Sequence, residues 1–357
     1  MFSGVYTKRR CLITGHTGFK GSWLGYWLTR LGAKVCGAAL PMEGVSHYEL
    51  LEKEYESCFC DIRNREGLQK IFDSFQPEIV FHLAAQPLVR LSYREAVSTF
   101  ETNIMGTVNL LECCRHCESV RSAVIVTTDK CYENPESGVP FAENAPLGGH
   151  DPYSASKAGA EIVVSSFIRS FFNMPESSLA CATARAGNVI GGGDWAPDRL
   201  IPDLVRGAVA GKVTPLRNPD AVRPWQHLLE PLSGYLWLGA KLFQEGAKFS
   251  GSWNFGPALE DTLTVGEIAE KISRHWDKMR FEYKQEEKAP HEAKLLQLDC
   301  SKAARELEWR GVWNSASAIE HTVRWYKEFY ENNKLMTQDD LEAYCHDAEQ
   351  RGLPWTK

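Results

Sequence analysis

The sequence predicts an α/β protein built on a doubly wound parallel sheet, with a smaller C-terminal lobe. Short apolar runs of strand character recur along the first half of the chain, beginning with Arg10–Thr14. Several are followed by a segment with the apolar spacing of a helix, such as Ser22–Leu31. Strands that alternate with helices form parallel sheets. The first strand also runs directly into a glycine-rich turn, Gly15–Gly21.

The Gly15–Gly21 turn joins the first strand to the first helix. Its glycines follow the spacing Gly-x-x-Gly-x-x-Gly, and Gly32 ends the helical pattern as a C-cap. Glycines at such a turn let the backbone approach a pyrophosphate, and the free amides at the start of the helix face it. The turn therefore predicts a Rossmann-type dinucleotide site, with a βα turn that binds no ligand as the alternative.

The strands that follow give less information about the cofactor. Lys34–Leu40 is the second strand, where NAD enzymes carry an acid for the adenosine ribose. It has neither that acid nor a basic cluster for a 2′-phosphate, so this strand does not separate NAD from NADP. Pro77–Ala85 is a further buried strand that leads to Gln86, and Arg121–Val126 is a strand that ends at a hydroxyl-rich segment.

That segment, Thr127–Lys157, contains the residues with the clearest chemistry. Tyr153 and Lys157 lie four residues apart in a predicted helix, Tyr153–Phe172, and so share one face. An ammonium near a phenol lowers the tyrosine pKa, which makes Tyr153 a general base near neutral pH. A half-buried tyrosine beside a solvated lysine is the alternative, but the strand end and the glycine turn favour catalysis. The candidate catalytic residues are Thr128, Asp129, Lys130, Tyr153 and Lys157.

Composition excludes several classes of function. The net charge of −6 and the pI near 6.0 argue against a protein that binds nucleic acid or a membrane surface. No apolar run has the length of a membrane span and the amino terminus lacks a signal-peptide core, so a cytoplasmic location is expected. The cysteines number eleven and are expected to be reduced thiols. Cys113–Cys117 is a Cys/His cluster without a second ligand pair, so no metal site is predicted.

The C-terminal half of the chain is expected to form the smaller lobe. We place the boundary between residues 1–183, which include the candidate catalytic residues, and residues 184–357, with chain crossings back to the sheet. Arg223 follows a turn-rich stretch, and its guanidinium is suited to two parallel hydrogen bonds with a diphosphate. The charged tail Thr337–Arg351 is expected to pack at the edge of the protein.

Five segments together resemble one protein family. On these segments the chain is similar to the CDP-glucose 4,6-dehydratases, a branch of the extended short-chain dehydrogenase/reductases, and the similarity spans roughly residues 8 to 330. The segments are Thr14–Leu24, Gln86–Tyr93, Thr128–Tyr132, Ala186–Trp195 and Arg223–His227.

The resemblance implies a Rossmann-type sheet with a C-terminal substrate-binding lobe, NAD as cofactor and a nucleotide sugar as substrate. It also implies a homodimer or higher homo-oligomer formed through helices Val97–Arg115 and Tyr153–Phe172. In the alternative, the apolar faces of these helices belong to the core of a single chain. The implied cofactor contacts are Gly15, Thr17, Gly18, Phe19, Lys20, Gly21, Asp61, Ile62, Leu83, Ala84, Ala85, Asn103, Tyr153 and Lys157. The implied substrate contacts are Gln86, Asn188, Arg199, Arg223 and His291.

The implied reaction is the conversion of CDP-glucose to CDP-4-dehydro-6-deoxyglucose with loss of water. Tyr153 takes the proton of the sugar 4-hydroxyl, which Thr128 also holds, while NAD⁺ accepts the hydride from C4. Asp129 protonates the departing 6-hydroxyl, a base removes the C5 proton, and the hydride returns to C6. Relatives that act on dTDP-glucose have Glu where this chain has Lys130. Lys130 is therefore either the C5 base, which requires its neutral form, or a cation that stabilises the enolate.

Other functions use the same scaffold. Another nucleotide hexose would be dehydrated by the same residues. A nucleotide-sugar 4-epimerase stops at the 4-ketone and needs no acid and base for C5 and C6, so Asp129 and Lys130 favour dehydration. A decarboxylase needs a site for a C6 carboxylate, which nothing in the sequence singles out. A cofactor-binding sensor without activity is the alternative from another class, and the presence of Tyr153 and Lys157 argues against it.

Overall fold

A computed structural model describes residues 1–42, 44–52, 54–259, 261–284 and 296–357. The strands are β1 (Arg10–Thr14), β2 (Lys34–Ala39), β3 (Glu56–Phe59), β4 (Ile79–His82), β5 (Ser122–Val126), β6 (Ala180–Ala186), β7 (Val189–Ile190), β8 (Thr214–Leu216), β9 (Val222–Arg223), β10 (Gln226–His227), β11 (Gly251–Phe255), β12 (Leu263–Thr264) and β13 (Phe281–Tyr283).

The α-helices are α1 (Phe19–Arg30), α2 (His47–Leu50), α3 (Arg65–Phe75), α4 (Val89–Arg94), α5 (Ala96–Phe100), α6 (Gly106–Arg115), α7 (Pro152–Phe167), α8 (Leu200–Ala210), α9 (Leu229–Glu245), α10 (Val265–His275), α11 (Ser301–Glu306), α12 (Ser315–Asn332) and α13 (Thr337–Gln350). Two π-helical turns, Glu101–Met105 and Ile168–Phe172, continue α5 and α7. The predicted helices Val97–Arg115 and Tyr153–Phe172 are therefore each built from more than one helical type.

The described residues form one large parallel sheet of seven strands in the order β11-β6-β5-β4-β1-β2-β3. The predicted doubly wound sheet is confirmed. Its central strands are buried along their whole length because helices cover both faces, which is why they read as continuous apolar runs. The strand order reverses between β1 and β4, and in such sheets ligands bind beyond the carboxyl ends of the strands at this point.

The C-terminal half of the chain returns to this sheet. β11 pairs in parallel with β6, with Gly251 opposite Ala182, so the sheet's last strand comes from beyond residue 184. The expected boundary at residues 183 and 184 falls inside β6. The short pairs β7 with β10, β9 with β12, and β8 with β13 lie outside the large sheet. The chain thus returns from its C-terminal half to the large sheet.

The C-terminal tail is part of the core, which corrects the expectation that it packs at the edge. Tyr344 of α13 is fully buried and its hydroxyl donates to Glu230 of α9 at 2.9 Å. Trp355 is also fully buried and stacks on Phe2, with ring centroids 5.2 Å apart. A few apolar residues are enough to hold the tail in the core, because aromatic side chains bury large areas.

Candidate active site

A cavity of about 1320 Å³ lies at the carboxyl ends of the central strands. Its walls come from the glycine turn after β1, the segments after β2 to β6, the start of α7 and the loop that leads into α8. The cavity therefore occupies the position where the sheet topology places a ligand. It brings together most of the predicted site residues.

The glycine turn is shaped for close approach of a ligand. Gly15 has φ +78°, and a Cβ at this position would lie 2.7 Å from the backbone nitrogen of Ala84. A Cβ on Gly21 would collide with the carbonyl oxygen of Gly15. Gly18 is the N-cap of α1 and leaves the first amides of a twelve-residue helix at the cavity wall. Such amides bind a pyrophosphate, so the turn fits a dinucleotide.

Gly15→Ala is expected to lower the free energy of unfolding by about 2–5 kcal/mol, because it combines left-handed backbone strain with overpacking against Ala84. Gly211→Ala is the matched control, since Gly211 also has a positive φ, +66°, but a Cβ there meets no atom within 4 Å. It should cost about 1–2 kcal/mol. Denaturant unfolding of both variants measures the difference, and equal losses would contradict the close-approach argument.

The predicted cofactor contacts line the cavity, with one exception. The lining residues are Gly15, Thr17, Gly18, Phe19, Lys20, Gly21, Asp61, Ile62, Leu83, Ala84, Ala85, Tyr153 and Lys157. Hydrogen bonds from Arg63 hold the pKa of Asp61 below its usual value. Asn103 does not line the cavity and is 2 % exposed. Its amide oxygen accepts from the Gln86 backbone nitrogen at 2.8 Å, and its nitrogen donates to Ser156 at 2.8 Å, so it orders the chain behind the site.

Thr128, Asp129 and Lys130 form a hydrogen-bonded group at the end of β5. The Thr128 hydroxyl donates to Asp129 Oδ1 at 2.9 Å, and the Lys130 ammonium donates to the same oxygen at 3.0 Å. Lys130 also donates to the amide oxygen of Asn188 at 3.1 Å. Asp129 is 1 % exposed, and its second oxygen, Oδ2, is buried without a hydrogen-bond partner. Asp129 itself does not line the cavity, and its hydrogen bonds with Thr128 and Lys130 connect it to residues that do.

Tyr153 and Lys157 lie on α7, which begins at Pro152 and is capped by Asp151. The predicted lowering of the tyrosine pKa is wrong for the protein without ligand, because burial raises the pKa of Tyr153 to about 12 although a hydrogen bond with Thr128 lowers it. The Lys157 ammonium donates to the carbonyl oxygen of Val126 at 3.1 Å. Burial lowers the pKa of Lys157 to about 8.

The predicted substrate contacts come from separate segments of the chain. Arg199 forms a 2.8 Å ion pair with Asp194, and the buried Arg223 donates to the carbonyl oxygen of Val222 at 3.0 Å. The predicted substrate contacts that line the cavity are Gln86, Asn188, Arg199 and Arg223. His291 lies outside the residues that the structure describes.

Comparisons with known proteins identify the family of this chain. Residues 12–322 match a family profile described as GDP-mannose 4,6 dehydratase. The CDP-glucose 4,6-dehydratase of Salmonella typhimurium strain LT2 is 48 % identical over 334 residues, which cover 92 % of this chain and 93 % of that protein. The chain belongs to the sugar-nucleotide 4,6-dehydratase family. A probable dTDP-glucose 4,6-dehydratase of Sinorhizobium fredii is 28 % identical over 89 % of this chain and 93 % of that protein.

Solved structures place this dehydratase among proteins of the same fold. A dTDP-glucose 4,6-dehydratase from Streptomyces venezuelae, solved with NAD and TYD bound, has a TM-score of 0.75 and 26 % identity over 91 % of this chain and 100 % of that chain. A UDP-glucose 4-epimerase from Thermotoga maritima, solved with UDP-glucose, has a TM-score of 0.79 over 90 % of this chain and 100 % of that chain. At 22 % identity, the second likeness concerns the fold alone.

Several residues of the dehydratase cavity were not named as site residues from the sequence. His47 lines the cavity and is held between Ser22 and Thr337, with nitrogen-to-oxygen distances of 2.8 Å on both sides. Arg217 and Asn218 line it from the segment after β8. Local sequence carries no signal for these residues, because loops from separate parts of the chain bring them to the cavity. Asp151 had a signal, since it precedes Pro152 as a helix N-cap does.

Potential metal ligands lie away from the cavity. Among the described residues, one group brings three ligand atoms within 4.8 Å of one another, and it consists of Cys36, Glu56 and Cys58 on β2 and β3. None of the three lines the cavity. All eleven cysteines are free thiols. In the described part of the chain, no helix is both long enough and apolar enough to cross a membrane.

Proposed function

We propose that this dehydratase converts CDP-D-glucose to CDP-4-dehydro-6-deoxy-D-glucose. The proposal is carried by the placement of Thr128, Lys130 and Tyr153 in one cavity, with the buried Asp129 hydrogen-bonded to both Thr128 and Lys130. An acid and a basic group beside an oxidising site are what removal of water across C5 and C6 requires. The CDP sugar is proposed from the 48 % identity to the Salmonella enzyme.

NAD is the proposed cofactor, held by the glycine turn at its pyrophosphate and by the segments after β3 and β4. When bound, it supplies the oxidant that takes hydride from C4 and the reductant that returns hydride to C6. The proposed cofactor contacts are those predicted from the sequence, except that Asn103 holds the backbone of Gln86 and does not itself contact the cofactor. The end of β2 carries no acidic residue, so we propose no contact between this strand and the ribose hydroxyls of the adenosine.

Tyr153 and Thr128 are proposed to act on the sugar 4-hydroxyl. Tyr153 as phenolate takes the hydroxyl proton, and Thr128 holds the oxygen by a hydrogen bond while the C4 ketone forms. Lys157, in its charged form, is proposed to bind the nicotinamide ribose and to lower the tyrosine pKa from the high value that burial imposes.

Asp129 and Lys130 are proposed to carry out the elimination. The 4-ketone acidifies the C5 hydrogen, which leaves as a proton to a base, and the C6 hydroxyl leaves as water with a proton from Asp129. A hydride then adds to C6 and a proton to C5, which restores the electron count. Lys130 is the proposed partner of this step, either as the base in its neutral form or as a cation that stabilises the enolate, because its side-chain nitrogen is held 3.0 Å from Asp129 Oδ1 on the same short segment.

The substrate diphosphate is proposed to bind Arg199 and Arg223, because guanidinium groups hold phosphate oxygens in pairs. Gln86 and Asn188 are proposed to contact the sugar, and His291 remains a predicted contact in a segment outside the described residues. Residues 1–183 and 184–357 remain the proposed cofactor and substrate portions, with β6 and β11 shared by the sheet. We propose a cytoplasmic location, in keeping with eleven free thiols.

Incubation with NAD⁺ and CDP-, dTDP-, GDP- and UDP-hexoses in deuterated water tests the function. Loss of one water from CDP-glucose alone, with deuterium at C5, is the expected result by mass spectrometry. Water loss from a different nucleotide hexose would change the substrate but keep the reaction class. An unchanged mass with an inverted hydroxyl would replace the proposal with a 4-epimerase, and cofactor binding without turnover of any sugar would favour a sensor.

A homodimer through α5 to α7 is part of the proposal. Their outer faces expose large apolar side chains, including Val97 at 73 %, Ile162 at 60 % and Met105 at 50 %. An apolar patch of this kind marks an interface. Ile162→Glu is expected to shift the protein from dimer to monomer in analytical ultracentrifugation. Val209→Glu, at a 53 % exposed site on α8, is the control that should leave the dimer intact, and a monomeric wild-type protein would contradict the proposal.

A further inference from the structure

A buried ion pair lies beneath the active site and outside the cavity. Glu161 Oε2 accepts from the Arg185 guanidinium at 2.7 Å, and the two side chains are 1 % and 3 % exposed. Neither residue lines the cavity. Two charges removed from water are costly unless their hydrogen bonds are well satisfied. Arg185 Nε is left without a hydrogen-bond partner, and several of the other contacts of this pair lead directly to the catalytic segment.

Glu161 holds the beginning of that segment. It lies on α7 one helical turn after Lys157, and its Oε1 accepts a short hydrogen bond from the hydroxyl of Thr127. Its Oε2 accepts from the hydroxyl of Thr183 on β6 at 2.8 Å. Thr127 immediately precedes Thr128, so one carboxylate joins the helix of Tyr153 to the end of β5.

Arg185 holds the end of the same segment. From β6, its guanidinium donates to the hydroxyl of Tyr132 at 2.7 Å and lies 4.8 Å from the centre of that ring. The Tyr132 hydroxyl in turn donates to Asn254 of β11 at 2.7 Å, and its ring stacks on Phe141 at 5.0 Å. Tyr132 is 1 % exposed and also borders the cavity, so these contacts fix the position of a residue at the edge of the site.

We propose that Glu161 and Arg185 are positioning residues that hold both ends of the Thr127–Tyr132 segment, so that Asp129 and Lys130 are aligned for the elimination step. This proposal rests on the proposed dehydration. Asp129–Cys131 is a single 3₁₀ turn, which has too few internal hydrogen bonds to fix its own orientation. The ion pair supplies that orientation because one partner bonds before the turn and the other after it.

The proposal separates the two halves of the reaction. Tyr153 lies on α7, and the start of this helix is fixed independently by Asp151. The Asp151 Oδ1 atom accepts a hydrogen bond from the Ser154 backbone nitrogen at 2.9 Å. Loosening the Tyr132 end should therefore misalign Lys130 and Asp129 while the tyrosine keeps its place. Water loss should slow more than C4 oxidation, because a misplacement of even 1 Å at reacting groups costs a large part of the rate.

Tyr132→Phe tests this without leaving a charge buried alone. Replacing Glu161 or Arg185 would strand its partner in the interior, whereas Tyr132→Phe removes one oxygen and keeps the ring under the guanidinium. Thr183→Val is the matched control, since it removes a buried hydroxyl that bonds the same carboxylate from β6, away from the catalytic segment. Both variants should fold with similar stability in denaturant unfolding.

The first measurement is amide hydrogen exchange of the protein without cofactor or substrate. Tyr132→Phe is expected to speed exchange in the peptide that contains Asp129–Tyr132 and to leave the α7 peptide unchanged, and Thr183→Val should change neither. The second is single turnover with NAD⁺ and CDP-glucose. Tyr132→Phe is expected to slow deuterium entry at C5 by about tenfold to 100-fold, with NADH building up because C4 oxidation continues.

The proposal is overturned if Tyr132→Phe leaves exchange in the segment unchanged, or if it slows oxidation and elimination to the same extent. If Thr183→Val changed both measurements as much as Tyr132→Phe does, the ion pair would stabilise the fold in general and would not position the segment. If wild-type protein does not turn over CDP-glucose, the proposed substrate fails, and the hydrogen-exchange comparison still decides whether the ion pair positions the segment.

Discussion

Tyr153→Phe is expected to lower kcat by about 10²-fold to 10⁴-fold, the range for loss of a general base. The phenyl ring refills the space of a side chain that is 8 % exposed, so the fold and the KM for the sugar nucleotide should change little. Stopped-flow detection of NADH measures the C4 oxidation step directly. Tyr26→Phe, at a partly exposed position on α1, is the control.

The pH dependence of the same step has a defined sign. Burial is the main cause that raises the pKa of Tyr153 to about 12, so at neutral pH the hydroxyl keeps its proton and the reactive phenolate is the minor form. Oxidation should therefore accelerate as the pH rises. The pKa of Lys157 is about 8, so above that pH its ammonium loses the charge that favours the phenolate, and the increase should level off. Unchanged oxidation by Tyr153→Phe, with the same pH profile, would exclude Tyr153 as the base.

Lys130→Met is expected to lower the rate of water loss by at least about 10²-fold, because the proposed handling of the C5 proton is lost. Oxidation at C4 should continue, since Tyr153 and Thr128 are intact, and NADH should accumulate on the enzyme. Nuclear magnetic resonance of the sugar in deuterated water measures C5 exchange, and mass spectrometry measures loss of water. Lys212→Met, at an exposed position after α8, is the control.

The same variant separates the two roles left open for Lys130. If it acts as the base, Lys130→Met loses both C5 exchange and water loss. If it acts as a cation that stabilises the enolate, C5 exchange slows while another group still moves the proton. Full C5 exchange in Lys130→Met would contradict the base role. The contacts of Lys130 with Asp129 and Asn188 show that a neutral amine would give up a charge-assisted hydrogen bond to act as base.

The sheet and the cofactor turn could be predicted because their signals are local. β1 was predicted with the bounds that the structure shows, and the other sheet strands that were predicted differ by a few residues at their ends. Each consists of a short buried run bounded by turn residues, which a sequence reveals by itself. β11 was not predicted as a strand, because its sequence lacks a continuous apolar run.

The sequence by itself determined the class of the fold, since strands and helices depend on neighbours within a few positions. It also predicted the dinucleotide turn and a set of reactive groups, namely Thr128, Asp129, Lys130, Tyr153 and Lys157. Only the tertiary structure decided how those groups are held. The ion pair of Glu161 with Arg185 joins residues from α7 and β6. The high pKa of Tyr153 and the contact of Lys157 with Val126 depend on burial beneath other elements. Desolvation and long-range hydrogen bonds arise from the packed chain, so no local pattern encodes them.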